Sequence, residues 1–153
     1  MKKILSLDIE NVFVIDANLF LYPEQYARKD RAYTLSRDYS DYFLTECQNI
    51  FNQIILNTSV REDKAREVMR RLGLSDCDYH QWGGISKMKG LEEIAKNNII
   101  IHVEDGMTHN DYRLAEMFGI NHIDVLPYDR PRRRKDKELL RVLSKIGLYS
   151  QIS

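Results

Sequence analysis

Seven side chains in this 153-residue sequence have types and spacing suited to chemistry on a phosphate group. They are Asp8, Glu10, Thr58, Lys87, Lys89, Glu104 and Asp105. The acids and the threonine follow short apolar runs, and the lysines precede a helical pattern. A carboxylate can attack phosphorus, and Mg²⁺ binds one or two carboxylates together with phosphate oxygens. Because a hydroxyl and an ammonium can hold the non-bridging oxygens, we expect these groups to meet at one site.

Short apolar runs alternate with amphipathic segments along the chain. Strands are predicted at 4–7, 53–57, within 78–85, at 99–103 and at 120–126. Helices are predicted at 38–50, 61–72, 90–96, 110–118 and 139–146, the last ending at Gly147. This alternation predicts one α/β domain over residues 1–153, a three-layer Rossmann-like fold with a mostly parallel central sheet and helices on both faces. In such sheets ligands bind beyond the carboxyl ends of the strands, where the reactive residues are placed.

Two further apolar runs follow the first predicted strand. Residues 12–15 and 19–22 are separated by Asp16-Ala17-Asn18, which is typical of a turn. The pattern predicts a hairpin that would form a small flap over about residues 11–22. A loop is expected at 23–37.

Composition excludes several classes of protein. Lys and Arg number 23, as do Asp and Glu, so the zero formal charge excludes a globally basic nucleic-acid coat. The apolar run at the N-terminus is too short for a signal peptide, and no run approaches the roughly 20 apolar residues of a membrane span. Cys47 and Cys77 are too few for a disulfide scaffold and are expected to be free thiols. We therefore expect a soluble cytoplasmic protein with no membrane partner.

A local basic patch stands out against the neutral total. It lies in a basic segment and helix at about 129–148 and includes Arg130, Arg132, Arg133, Arg134 and Lys135. Such a run either forms a solvated start to the last helix or contacts the phosphate backbone of a nucleic acid. The sequence leaves both interpretations open, and the oligomeric state is not predicted.

The order of the reactive motifs resembles the haloacid dehalogenase-like (HAD) superfamily. Its first motif is an apolar strand ending in Asp-x-Asp-x-(Thr/Val), which is similar to residues 4–12. The second motif is a strand that ends in Thr or Ser, which is Thr58 here. The third is a lysine ahead of a helix, which is Lys87 or Lys89. The fourth is a strand that ends in an acidic pair, which is Glu104-Asp105. The resemblance covers about residues 3–128. The short insert after the first motif implies a cap-less member with an open site.

This resemblance implies a phosphatase that forms an aspartyl phosphate. Asp8 would be the nucleophile, and Glu10 would be the general acid and base. Thr58 would hydrogen-bond the phosphoryl group, and Lys87 or Lys89 would neutralise it. The open site would suit a bulky or macromolecular phosphorylated substrate, and a nucleotide, a nucleic-acid end, a phosphoprotein and a sugar phosphate all remain open.

The same resemblance implies Mg²⁺ as the cofactor. Asp8 would be the first metal ligand, and the backbone carbonyl of Glu10 would be another. Asp105, together with Glu104, would complete the metal shell.

Glu10 departs from the family pattern, which has aspartate at this position. The carboxyl chemistry is unchanged, but glutamate has one extra methylene, and moving a catalytic group by about 1 Å can slow a reaction by roughly 10²-fold. The departure leaves two alternatives open. Either the site is readjusted and active, or the chain is a catalytically weak or inactive binding or regulatory module of the same fold.

A second apolar run offers another nucleophile. Residues 12–15 lead to Asp16-Ala17-Asn18, so Asp16 is an alternative to Asp8, with Asn18 in place of the acid and base. This stretch also resembles the opening of PIN-domain nucleases, which gather acids around a divalent metal to cut RNA. In that alternative Glu46, Asp105 and Asp111 would supply the other acids.

Two aromatic or imidazole side chains have structural interpretations. His102 lies inside the apolar run at 99–103, which favours a hydrogen-bonded core histidine over a metal ligand. Trp82, close to Tyr79, favours local packing, although an open site could use it to stack a base.

Overall fold

A computed structural model describes residues 1–25, 36–80, 86–127 and 136–150. Within these ranges the strands are β1 (Lys3–Leu7), β2 (Gln53–Leu56), β3 (Asp78–Tyr79), β4 (Ile99–Glu104) and β5 (Asn121–Asp124). They form one sheet in the order β3-β2-β1-β4-β5, and every pairing is parallel. β1 lies at the centre, as expected for a strand with buried side chains on both faces. The predicted α/β fold with a parallel central sheet is confirmed.

Helices cover both faces of the sheet. They are α1 (Ala17–Leu21), α2 (Ser40–Ile50), α3 (Glu62–Arg71), α4 (Lys87–Gly90), α5 (Glu92–Ala95), α6 (His109–Phe118) and α7 (Glu138–Ser150). Leu5 and Leu7 join a core with buried residues of α1, α2, α3 and α7, whereas Ile4 joins a second core with residues of α4 and α6. Because side chains alternate along a strand, the even-numbered positions of β1 and β4 face α4 and α6.

The segment after β1 differs from the predicted hairpin. The carbonyl of Ile9 accepts the N–H groups of Val12 and Phe13 at 3.2 and 2.9 Å, so this stretch forms a tight turn. Asn11 has a φ of 64°, in the left-handed region that asparagine tolerates better than most residues. The first of the two runs is therefore a turn rather than a strand.

The second run of the predicted hairpin is the helix α1. The carboxylate of Asp16 accepts the N–H groups of Asn18 and Leu19 at 2.8 and 3.1 Å, which is an N-cap that satisfies free donors of the first turn. Leu21 is buried in the core that includes α3. An apolar run this short fits either a helix or a strand, and here the cap decides for the helix.

Capping residues and packing set the helix ends more closely than the spacing of apolar residues does. Thr108 and Asp111 form a capping box at the start of α6, and Gly119, with a φ of 69°, closes that helix as predicted. The predicted end of the last helix at Gly147 is wrong, because α7 continues to Ser150. Packing of Tyr149 against the core supports this extra turn.

Arg37 joins three segments from a buried position that is only 2 % exposed. Its guanidinium donates to the carbonyls of Asn11 and Leu126, both at 2.9 Å. It also forms an ion pair with the carboxylate of Asp136, which accepts the N–H of Glu138 at the start of α7. Arg37 therefore ties the turn after β1 to the end of the sheet and to the last helix.

Some predictions fall on positions outside the described ranges. These positions include Trp82 and the basic residues Arg130, Arg132, Arg133, Arg134 and Lys135. Within the described ranges, no helix combines the length and apolar character that crossing a bilayer requires.

Candidate active site

The carboxyl ends of the three central strands bring the predicted residues to one edge of the sheet. Asp8 follows β1, and its N–H donates to the carbonyl of Val103 in β4 at 3.0 Å. Asn57 follows β2, and its N–H donates to the carbonyl of Leu7 at 2.8 Å. The in-register pairing thus places the residues after β1 and β2 level with the end of β4.

Lys87 lies between acids from two strands. Its Nζ is 3.2 Å from Oδ2 of Asp8 and 3.0 Å from Oε1 of Glu104. Lys87, Asp8 and Glu104 are 9 %, 7 % and 5 % exposed, so solvent screens these contacts weakly. The lysine can reach the acids because Ser86 caps α4, accepting the N–H of Met88 at 3.2 Å, and starts the helix at Lys87 rather than at the predicted position 90.

Lys89 does not lie at this site. Its Nζ pairs with Oε2 of Glu92 at 2.7 Å and lies 5.6 Å from the ring centre of Phe118. More than half of its side chain is exposed. Of the two lysines that the sequence leaves open, the structure therefore brings Lys87 to the acids.

The central ion pair is held in its charged form. Burial lowers the pKa of Lys87, but the charges of Asp8 and Glu104 more than compensate, so the net pKa is raised. For Glu104, burial raises the pKa, but the hydrogen bond with His102 and the charge of Lys87 lower it by more, so the net pKa is lowered. The arrangement therefore contains an ammonium and a carboxylate at neutral pH.

Two half-buried acids beside this pair repel their neighbours. Burial raises the pKa of Glu10, and the charges of Asp16, Asp8 and Asp105 add to the effect. Burial also raises the pKa of Asp105, with the charge of Asp8 as the next cause. A cation placed among these carboxylates would relieve the repulsion.

The donor chemistry fits Mg²⁺ in part. Among the residues that the structure describes, no three acid, histidine or cysteine side chains form a ready-made metal centre. Mg²⁺ needs only one or two carboxylates because waters and phosphate oxygens complete its shell. Asp8 and Asp105 fit this requirement. Glu104 fits it less well, since Lys87 and His102 already bind its Oε1.

Thr58 is the second residue after β2, the neighbour of β1, and is 1 % exposed. Its Oγ1 accepts the N–H of Val60 at 3.2 Å, which holds the side chain in the turn. The hydroxyl hydrogen is not used by that bond and can be donated. Thr58 thus lies near the carboxyl end of β2, and its contact with a phosphoryl group stays a prediction.

The alternative acids serve local structure. Asp16 caps α1, and the Asn18 side chain accepts a hydrogen bond from Lys64 at 2.6 Å. Asp111 caps α6 and accepts the hydroxyl of Ser86 at 2.8 Å. Glu46 belongs to α2, which packs on the face opposite α4. The structure therefore does not bring the set proposed for a nuclease together.

A buried polar layer under the site was not predicted as functional. His102 is fully buried, as expected for a core histidine, but one of its partners is a site acid. Its Nδ1 is 2.8 Å from Oγ of Ser6, and its Nε2 is 2.9 Å from Oε1 of Glu104. Asn57 donates from Nδ2 to Ser6 Oγ at 3.2 Å and to the Lys87 carbonyl at 3.4 Å. Side chains alternate between the two faces of a strand, so His102 and Glu104, two residues apart in β4, lie on the same face. This spacing is the sequence signal for their contact.

Comparison with known proteins does not assign the chain to a family. No protein-family model matches it, and neither the curated proteins nor the solved structures give a match. The function is therefore inferred from the residues of the chain itself.

Proposed function

We propose that this protein is a Mg²⁺-dependent phosphatase of the HAD type that hydrolyses phosphomonoesters through an aspartyl phosphate on Asp8. The main support is the buried contact of Lys87 with Asp8 and Glu104 at the carboxyl ends of adjacent strands. This contact joins three motifs of the resemblance that are separated in the sequence. The proposed substrates are nucleotides and nucleic-acid ends.

The reaction would proceed in two displacements at phosphorus. In the first, a carboxylate oxygen of Asp8 forms a bond to phosphorus as the bond to the leaving oxygen breaks, and Glu10 gives that oxygen a proton. In the second, Glu10 takes a proton from a water that attacks the same phosphorus, and the bond to Asp8 breaks. Lys87 and Thr58 would hold the non-bridging oxygens throughout. The products are inorganic phosphate, the alcohol and the restored Asp8.

Asp8 and Asp105 are the side chains that would hold Mg²⁺, and the resemblance adds the backbone carbonyl of Glu10. When bound, the ion would offset the negative charge of the phosphoryl group near these acids. Lys87 supplies a second positive charge that belongs to the chain itself.

The direct test is phosphate release from para-nitrophenyl phosphate and from 5′-phosphorylated RNA. We expect release in Mg²⁺, loss of release in excess EDTA, and recovery when Mg²⁺ again exceeds the chelator. A rate unchanged by EDTA would contradict the metal assignment. Internal cleavage of the RNA without loss of its terminal phosphate would instead support a nuclease.

Replacing each of the two lysines by methionine gives a matched pair of variants. We expect Lys87→Met to lower kcat/KM by about 10²- to 10³-fold, because the charge facing the phosphoryl oxygens is lost. Lys89→Met removes the same charge from an exposed ion pair and should leave the rate within about twofold of wild type. Circular dichroism and thermal melts would establish that both variants fold. Equal losses in the two variants would contradict the placement of Lys87 at the site.

A further inference from the structure

The buried polar layer can be given a unique order of donors and acceptors, starting from its Asn57 end. A backbone carbonyl only accepts, so the group facing the Lys87 carbonyl at 3.4 Å must be the donating Nδ2 of Asn57. The other hydrogen of this Nδ2 points to Oγ of Ser6 at 3.2 Å. Ser6 then accepts from Asn57, and its own hydrogen is free to reach Nδ1 of His102 at 2.8 Å.

The opposite end of the layer leads independently to the same assignment. Glu104 is a carboxylate that accepts from Lys87 Nζ at 3.0 Å, so the contact with His102 Nε2 at 2.9 Å needs a donating imidazole nitrogen. In the neutral imidazole the proton of His102 therefore lies on Nε2, and Nδ1 accepts from Ser6. Both ends assign the same tautomer of His102.

The layer also closes on itself at Lys87. It begins at the Lys87 carbonyl and passes through Asn57, Ser6, His102 and Glu104 to the ammonium of the same residue. The chain of bonds joins β1, β2 and β4 to the first residue of α4. Both the main chain and the side-chain end of Lys87 are consequently oriented by one network.

Asn57 gives an additional reason to regard the order as fixed. Its Oδ1 is buried and has no hydrogen-bond partner among the described residues. Rotation of the amide by half a turn would place Oδ1 against the Lys87 carbonyl oxygen, so two acceptors would face each other. A buried acceptor without a partner is unfavourable. That Asn57 keeps Oδ1 in this position indicates that the hydrogen bond to the Lys87 carbonyl determines the orientation of the amide.

We propose that His102 is a positioning residue, held as the Nε2-protonated tautomer by Ser6, that orients Glu104 and through it the Lys87 ammonium beside Asp8. Without the donor on His102, the Glu104 carboxylate is free to rotate and draw Lys87 away from Asp8. The neighbouring positions of β4 on this and the other face, Ile100, Ile101 and Val103, are apolar, so filling the core does not itself require an imidazole. The catalytic consequence rests on the proposed function, whereas the positioning of Lys87 does not.

The kinetic test compares two amide variants at position 102. His102→Gln carries an N–H donor near the place of Nε2 and can still reach Glu104, whereas His102→Asn is shorter and loses that bond. We expect His102→Asn to lower kcat/KM for para-nitrophenyl phosphate by about 10- to 100-fold, as for other supporting hydrogen bonds, and His102→Gln to recover most of it. In a Lys87→Met background His102→Asn should have no further effect, because both act through one group. Losses that multiply would overturn the proposal.

Nuclear magnetic resonance tests the positioning without any substrate. We expect the His102 ring in the wild type to show a protonated Nε2 and an unprotonated Nδ1, and Ser6→Ala to weaken this preference. The Lys87 ¹⁵Nζ signal, assigned by its loss in Lys87→Met, should be protected from exchange in the wild type and His102→Gln but not in His102→Asn. A proton on Nδ1, or a Lys87 signal indifferent to His102→Asn, would overturn the inference. An inactive wild type with these signals intact would contradict the phosphatase proposal alone.

Discussion

Replacement of Asp8 by asparagine is expected to abolish phosphate release, with a fall in kcat of about 10⁴-fold or more. The amide has nearly the shape of the carboxylate but is a poor nucleophile, so no aspartyl phosphate can form. The change also removes the negative charge 3.2 Å from Lys87 Nζ. The measurement is single-turnover phosphate release in Mg²⁺, together with trapping of the phosphorylated protein in the wild type.

Asp16→Asn is the matched control for this prediction, because the sequence alone leaves Asp16 open as the nucleophile. Asparagine caps helices about as well as aspartate, so α1 should be retained. Loss of the Asp16 charge lowers the pKa of Glu10 and so shifts the pH profile, but the rate should stay far above that of Asp8→Asn. An active Asp8→Asn variant beside an inactive Asp16→Asn variant would reverse the assignment. The two substitutions make the same chemical change, so their difference reports position only.

Arg37→Ala is expected to lower the free energy of unfolding by about 3–5 kcal/mol. The substitution removes the buried ion pair with Asp136, and it removes the donors that serve the carbonyls of Asn11 and Leu126. Removing one partner of a buried ion pair costs more than the net stability of the intact pair. Urea denaturation followed by fluorescence and circular dichroism would measure the change.

Arg61→Ala is the control for the buried pair. Arg61 binds Asp63 with side chains that are 72 % and 65 % exposed, and exposed ion pairs contribute little because solvent screens them. We therefore expect Arg61→Ala to unfold at a urea concentration close to that of the wild type. A midpoint shift in Arg61→Ala as large as that in Arg37→Ala would show that the loss depends on arginine content rather than on burial.

The strands that carry the candidate site were predictable from the sequence because their signals are local. Mostly apolar runs precede Asp8, Thr58 and Glu104, as is typical of parallel strands that are buried on both faces. The parallel arrangement then brings their carboxyl ends together without further information. The acids and the hydroxyl at the strand ends could therefore be named before the structure was known.

Other features depend on contacts that local patterns do not contain. The choice between Lys87 and Lys89 follows from the Ser86 cap, which starts α4 several residues before the apolar stripe. The predicted hairpin is wrong because a four-residue apolar run fits either a strand or a helix. The N-cap by Asp16 selects the helix. The link between Ser6 and His102 spans 96 residues and depends on the register of β1 with β4.

That register has a consequence for how the chain acquires its shape during synthesis. β1 precedes the other described strands in the chain, yet its neighbour β4 is about a hundred residues later and all its partners are non-local. High contact order of this kind slows folding, because a long loop must close before the contacts that stabilise it can form. β1 can pair with β2 once that strand has been made, but its other edge stays open until β4 has emerged. During that interval the open apolar edge is a site for non-native association.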